Sequence, residues 1–134
     1  MRETKIYREL KKSFNMGGVP KGVAYRIETG IIVGIPDISY TYCGTTGWCE
    51  LKQTKQQKSG KIKIPYRPGQ QSFLTNNRFY GGMCFVLLYL DDKYYLINKN
   101  FNVKIFKNIC ELMENCCWSG KKLDREFLSK LRKH

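Results

Sequence analysis

Residues 34–52, GIPDISYTYCGTTGWCELK, constrain this chain more than any other stretch. After Pro36 the apolar Ile38, Tyr40 and Tyr42 alternate with the polar Asp37, Ser39 and Thr41. Beyond a Gly-Thr-Thr-Gly turn, Cys49 and Leu51 alternate with Trp48, Glu50 and Lys52. A period of two on both sides of a glycine turn is the pattern of a β-hairpin with one buried face. A two-residue loop at Gly44-Thr45 suits a type II′ turn, which takes glycine first. That register sets Thr41 against Trp48, Ser39 against Glu50 and Asp37 against Lys52. Asp37 and Glu50 are then diagonal neighbours with Cβ atoms about 7 Å apart. Two carboxylates so placed can lean together on one oxygen-ligated cation. Mg²⁺ suits them, because it binds through one or two carboxylates, waters and substrate phosphate. Lys52 stands beside them as a point charge for a phosphate or an attacking water. A longer loop would shift the register and loosen this diagonal. The plainer reading of the same residues is a surface hairpin with a solvated acidic and basic face.

The rest of the composition bears on what such a hairpin would serve. The chain has 134 residues, enough for one domain over 1–134 with a buried core, and its 42% hydrophobic content is that of a globular protein. Lys and Arg number 24 against 11 Asp and Glu, a net charge of +13. Such a charge favours a polyanionic partner through steering and counterion release, and does not by itself separate nucleic acid from an anionic membrane. No apolar run approaches the roughly 18 residues of a membrane span. The opening MRETKIYRE lacks the apolar core of a secretory signal. The expectation is an intracellular, cytoplasmic protein of phage or prokaryotic origin that does not enter membranes. Cys43, Cys49, Cys84, Cys110, Cys116 and Cys117 form no C-x-x-C pair, and the single His is His134. Reduced thiols therefore fit better than a zinc site or a disulfide framework.

Along the chain, residues 3–14 read as a helix with Ile6, Tyr7, Leu10 and Phe14 on one stripe. Glu3 extends that stripe, whereas Glu9 lies about 115° from its centre at 100° per residue. An acid on an apolar stripe is costly unless paired or bound to a metal. Glu3 reads equally as a favourable charge at a helix N-terminus. Residues 23–27 read as a strand that leads to Glu28, a rival third acid or a solvated strand end. From 52 to 67 there are basic residues and no acid. Lys55, Lys58, Lys61, Lys63, Tyr66 and Arg67 could hold phosphates and sugars without reading bases, or form a solvated loop. Ile62 and Ile64 suggest a short strand there. Pro68 opens a helix through Gln70, Gln71, Phe73 and Leu74 that stops at Gly81-Gly82. The continuous apolar run 83–90 reads as a buried central strand, followed by a turn at 91–93 and a strand at 94–97. Residues 102–118 have helical spacing at Ile105, Ile109, Leu112, Met113 and Cys116. Residues 121–134 form a basic C-terminal helix or tail.

Pro-Asp, a hairpin and then Glu-x-Lys resemble the signature of the PD-(D/E)XK nuclease superfamily. The fuller GIPD followed by GWCELK is similar to the branch that holds VRR-NUC domains and phage Holliday-junction-resolvase-like proteins. The resemblance implies an α/β, restriction-endonuclease-like fold: a central mixed sheet flanked by helices. It implies a metal-dependent endodeoxyribonuclease of DNA repair or recombination that acts as a homodimer on branched DNA such as Holliday junctions. It implies Mg²⁺, for which Mn²⁺ substitutes, held by Asp37, Glu50, the Leu51 carbonyl and Glu3. Glu3-Thr4-Lys5-Ile6 matches the family's E-x-x-hydrophobic helix opening. Lys52 would serve the attacking water. Gln70, in Pro68-Gly69-Gln70, matches a glutamine that supports the site; Gln71 contests that place, and helix capping is its plainer role. Two other readings stand beside this one. One is a nicking or restriction-type nuclease of duplex or single strands; the other is a non-catalytic DNA-binding module of the same fold.

Overall fold

The computed structural model describes residues 3–16, 21–27 and 34–133. Helix α1 (Glu3–Ser13) precedes an antiparallel meander of β1 (Gly22–Arg26), β2 (Ile38–Tyr42) and β3 (Thr45–Thr54). The short β4 (Ile62–Lys63), α2 (Gln70–Phe79), β5 (Met83–Leu90) and β6 (Lys93–Ile97) follow. The chain continues through β7 (Ile105–Phe106), α3 (Ile109–Glu114), β8 (Cys116–Gly120) and α4 (Arg125–Lys130). The main sheet runs β1-β2-β3-β5-β6-β8, and β4 pairs with β7 in a separate two-stranded ribbon. Only β3 and β5 are parallel among these pairs, with α2 in the crossover between them. This is the expected α/β class: a central mixed sheet flanked by helices.

Strand β5 shows why its sequence is apolar without alternation. Phe85 and Leu87 enter a core against Ile6 and Leu10 of α1, Phe14 just after it, and Phe127 and Leu128 of α4. Cys84, Val86, Leu88 and Leu90 enter a second core on the other face, with Leu74 of α2 and Leu112 of α3. A central strand covered on both faces has no solvent side to encode. Of the stripe expected over residues 3–14, Ile6, Leu10 and Phe14, the last just past the end of α1, are within 3% of full burial, and Tyr7 is half-buried.

Two expectations fail. The hairpin turn is Cys43-Gly44, both with positive φ (47° and 80°), rather than Gly44-Thr45. Positive φ at both central residues is the type I′ arrangement, whose twist matches the strands. The register becomes Tyr42↔Thr45, Thr41↔Thr46, Tyr40↔Gly47, Ser39↔Trp48 and Ile38↔Cys49. Sterics favour this pairing, because the Tyr40 ring fills the space over Gly47, where a Cβ would sit 2.5 Å from the phenol oxygen. Thr45 is buried and its hydroxyl accepts the Lys133 N–H at 3.0 Å.

The second failure is the helix expected over 102–118, which is a strand, a short helix and another strand. Asn108 caps α3 by accepting the Glu111 N–H, so the helix starts there. Before it, Phe106 pairs with Ile62 and is buried. After it, β8 supplies the sixth strand against β6 and buries Trp118. Tertiary pairing overrides the apparent period here. The C-terminal segment is a docked helix. Asp124 caps α4 by accepting the Phe127 N–H, and the Tyr40 hydroxyl donates to the Leu131 carbonyl at 2.8 Å.

Candidate metal and phosphate site

The site forms where β3 outruns β2. The last rung between them is Ile38↔Cys49, so Asp37 comes opposite Glu50, one position past the ladder. The two carboxylates thus face each other directly rather than diagonally. At that point the free edge of β3 is satisfied by a side chain: Asp37 Oδ2 accepts the Leu51 N–H at 3.1 Å. In an extended strand a residue's N–H and C=O leave on the same edge. The Leu51 carbonyl therefore points toward the Asp37 side as well.

Glu50 and Lys52 project to the α2 face, whereas Cys49 and Leu51 project to the α1 face. Glu50 is 1% exposed and Lys52 3%. The Lys52 ammonium lies 3.6 Å from Glu50 Oε1. Gln70, the first residue of α2, donates from Nε2 to the same oxygen at 2.9 Å, and its own Oε1 accepts the Arg67 N–H at 2.8 Å. Gln71 instead reaches the Phe101 carbonyl. So Gln70, not Gln71, meets the site, and it does so as a brace between a loop and a carboxylate.

Burial pushes the Glu50 carboxyl well above the usual range, and the hydrogen bond to the Asp37 carboxyl and the Asp37 charge add to this; Lys52 pulls the other way without prevailing. Glu50 Oε2 is buried and has no donor. With both carboxyls charged it is an orphan, and either a shared proton or a cation satisfies it. An orphaned carboxylate oxygen, a facing aspartate and an edge carbonyl are the hard oxygen donors that Mg²⁺ takes. The residues present fit such an ion. Among the described residues no three His, Cys, Asp or Glu side chains gather. Glu3 opens α1, but its side chain lies outside the described residues, as does all of Glu28. Glu9 is partly exposed and pairs with Lys12 at 3.4 Å.

A contact that sequence reading did not isolate holds the two halves together. Gly34 (φ 92°) lies against the backbone of Gly69, and a Cβ there would overlap the Gly69 carbonyl. The loop that carries Asp37 is thus packed directly on the loop that starts α2 and carries Gln70. The signal was present as the glycines of GIPD and Pro-Gly-Gln, but their pairing is purely tertiary.

Lys55, Lys58, Lys61, Lys63 and Arg67 are all exposed on the segment that continues β3 past Lys52. The segment is ordered by its own bonds, the Gln57 N–H to the Lys61 carbonyl and Gln56 Nε2 to the Gly60 carbonyl. Tyr66 is half-buried against the second core, where burial, with a lesser effect of Glu50, raises its phenol. A cleft of about 440 Å³ between α1 and the β5–β6 turn lies on the other face of the sheet from these groups.

No protein-family model and no curated protein matches the chain, so the VRR-NUC branch has no support beyond the motif itself. Among solved structures, the chain is similar to Archaeoglobus fulgidus Hjc, a Holliday junction resolvase from an archaeal hyperthermophile. The identity is 22%, the TM-score 0.49, and 72% of each chain is covered.

Proposed function

We propose that this chain is a metal-dependent endonuclease that hydrolyses phosphodiester bonds in branched DNA, working as a homodimer. The observation that carries the reading is the convergence of Asp37, Glu50 and Lys52 at the open edge of β3, with Glu50 Oε2 buried and unpartnered. A buried carboxylate oxygen left without a donor is destabilising in a purely structural role, even where the other oxygen is paired. It makes sense as a ligand.

Asp37, Glu50 and the Leu51 carbonyl would hold Mg²⁺, with Glu3 as the proposed third acid. When bound, the ion supplies a water of lowered pKa and neutralises charge that builds on the phosphate. Gln70 fixes the Glu50 carboxylate through one oxygen and leaves the other for the ion. Lys52, held by burial and by Glu50, orients the attacking water or helps to take its proton. Asp37 spends one oxygen on the Leu51 N–H, which fixes its rotamer and aims the second oxygen. Lys55, Lys58, Lys61, Lys63, Tyr66 and Arg67 lie on the segment leaving the site and would hold the sugar-phosphate backbone. Among the described residues no helix is long and apolar enough to cross a membrane, and the cationic surface is read as serving DNA.

The test is a cleavage assay on labelled four-way junction, flap, duplex and single strand, with and without Mg²⁺. Metal-dependent incision that favours the junction is expected. Equal cutting of plain duplex would move the function to a nicking or restriction-type nuclease. Tight binding of junctions with no cutting in Mg²⁺ or Mn²⁺ would leave a binding module.

A further inference from the structure

The cleft of about 440 Å³ beside α1 has no part in the nuclease reading. Three elements that are far apart in the chain line it. From α1 come Lys5, Glu9 and Lys12. At 100° per residue they fall within about 60° of one another, beside the buried stripe, and Lys5 and Lys12 stand about 10 Å apart along the axis. From the sheet come Tyr89 of β5 and Tyr94 of β6, which are paired directly across the ladder. Their rings meet edge-on at 4.9 Å, and the Tyr89 hydroxyl donates to Asp92 at 3.1 Å, which fixes the ring. The loop between β8 and α4 adds Lys121 and Lys122. That loop is held at both ends: Gly120 lies against the Trp118 ring, where a Cβ would sit 2.6 Å from a ring carbon, and Asp124 caps α4.

Four lysines and one acid line this space. Glu9 pairs with Lys12 at 3.4 Å. Among the described residues Lys5, Lys121 and Lys122 have no acid at ion-pair distance. Ammonium groups gathered around a concavity repel one another unless an anion lies between them. Phosphate, with several charged oxygens, can answer more than one lysine at once. The volume suits a small molecule, since ligand pockets run from about 300 to 1,000 Å³, and neither a duplex nor a bilayer enters one of that size. Tyr89 is half-buried and presents ring surface against which a flat ring can lie. Glu9 would be out of place in a site for bare phosphate. A carboxylate only accepts, so it calls for a hydroxyl donor on the ligand, as an acid does beside a ribose.

We infer that this cleft binds a nucleoside phosphate, with the phosphate among the lysines, a sugar hydroxyl on Glu9 and the base against Tyr89. The cleft lies on the opposite face of the sheet from Glu50 and Lys52, so the inference is independent of the nuclease reading.

The test is calorimetric titration of the metal-free full chain with AMP, ribose 5-phosphate and inorganic phosphate. Salt is held at about 0.15 M, where long-range attraction to the overall charge is screened. AMP should bind roughly tenfold more tightly than either smaller probe. The double variant Lys121→Ala, Lys122→Ala should weaken AMP by about tenfold, and so should Lys5→Ala, the scale of one hydrogen bond to a charged group. Lys61→Ala, on the segment beyond Lys52, should not. All these lysines are exposed, so circular dichroism should be unchanged. Glu9→Gln should weaken AMP and leave its 2′,3′-dideoxy analogue unaffected. A 5′-phosphorylated single strand that displaces AMP would make a strand end the source of the ligand, and one that does not would make it the free nucleotide. Absence of AMP binding, equal affinity for AMP and inorganic phosphate, or AMP binding indifferent to Lys5, Lys121 and Lys122 overturns the inference.

Discussion

Lys52 and Glu50 are two residues apart on one strand, equally buried, and differ in what they can give a metal ion. A carboxylate donates lone pairs to a hard cation, whereas an ammonium has none and repels it. Lys52→Ala should bind Mn²⁺ as tightly as wild type or slightly more so by calorimetry. Its single-turnover rate should fall by roughly 10²- to 10⁴-fold, the range for removing a proton-transfer or charge-stabilising group. Loss of metal along with activity would make the lysine structural. The third acid is tested in the same way. Glu9 already has Lys12 as a partner and is partly exposed. Glu3→Gln should therefore cut activity far more than Glu9→Gln, and a larger loss from Glu28→Gln would reassign the ligand to the β1–β2 connection.

At the scale of elements, the site depends on two loops touching. Gly34→Ala strains a positive φ, on the order of 1–3 kcal/mol, and also pushes the Asp37 loop off Gly69. Gly44→Ala meets the same backbone strain at φ 80° with nothing within 4 Å of the added methyl. Gly34→Ala should therefore cost clearly more stability than Gly44→Ala and weaken Mn²⁺ binding, which Gly44→Ala should spare. Equal effects in urea melts and calorimetry would remove the loop contact from the site. The segment after β3 acts differently. Changing Lys55, Lys58, Lys61 and Lys63 to Ala should weaken binding to all DNAs alike. It should also flatten the plot of log K against log salt by about 0.9 for each phosphate that is no longer neutralised. A loss confined to one sequence would mean that these side chains read bases.

For the whole molecule, the buried acid makes stability depend on pH in an unusual direction. The Glu50 pKa is raised in the folded protein. Below about pH 4.3, the unfolded value, folded and unfolded chains are both protonated there, and Glu50 costs nothing. As pH rises from that value toward the raised folded one, the unfolded chain ionises first, and stability is lost. Acidification also increases the net charge of a chain already at +13, which opposes the trend through self-repulsion. The difference between wild type and Glu50→Gln isolates the acid. The metal-free variant should be more stable than wild type at pH 8, by about 1 kcal/mol or more given about 1.36 kcal/mol per pKa unit. The gain should shrink toward zero at pH 4. A gain that is constant with pH would mean that Glu50 is charged in the folded protein. Because metal binding must displace the proton, Mn²⁺ affinity should also rise with pH.

The sequence by itself determined what repeats locally. Alternation in 37–52 set which side chains share a face, the unbroken apolar run of 83–90 marked a strand covered on both sides, and the stripe of Ile6, Leu10 and Phe14 marked the buried face of α1. It also placed Asp37, Glu50 and Lys52 on one face, whichever turn was used. Moving the turn by one residue slips the register by two, and a slip of two returns every side chain to its own face. The pattern is therefore blind to the shift that brought Asp37 directly opposite Glu50. Only the tertiary structure decided it, through the Tyr40 ring over Gly47 and the positive φ of both Cys43 and Gly44. Tertiary pairing likewise cut 102–118 into β7, α3 and β8, because Phe106 and Trp118 gain more from strand positions in the cores than from one helical stripe. The seat of Gln70 against Glu50 and the packing of Gly34 on Gly69 join segments that are distant in the chain. Contacts of that kind leave no period in a sequence, since neither partner's neighbours depend on the other.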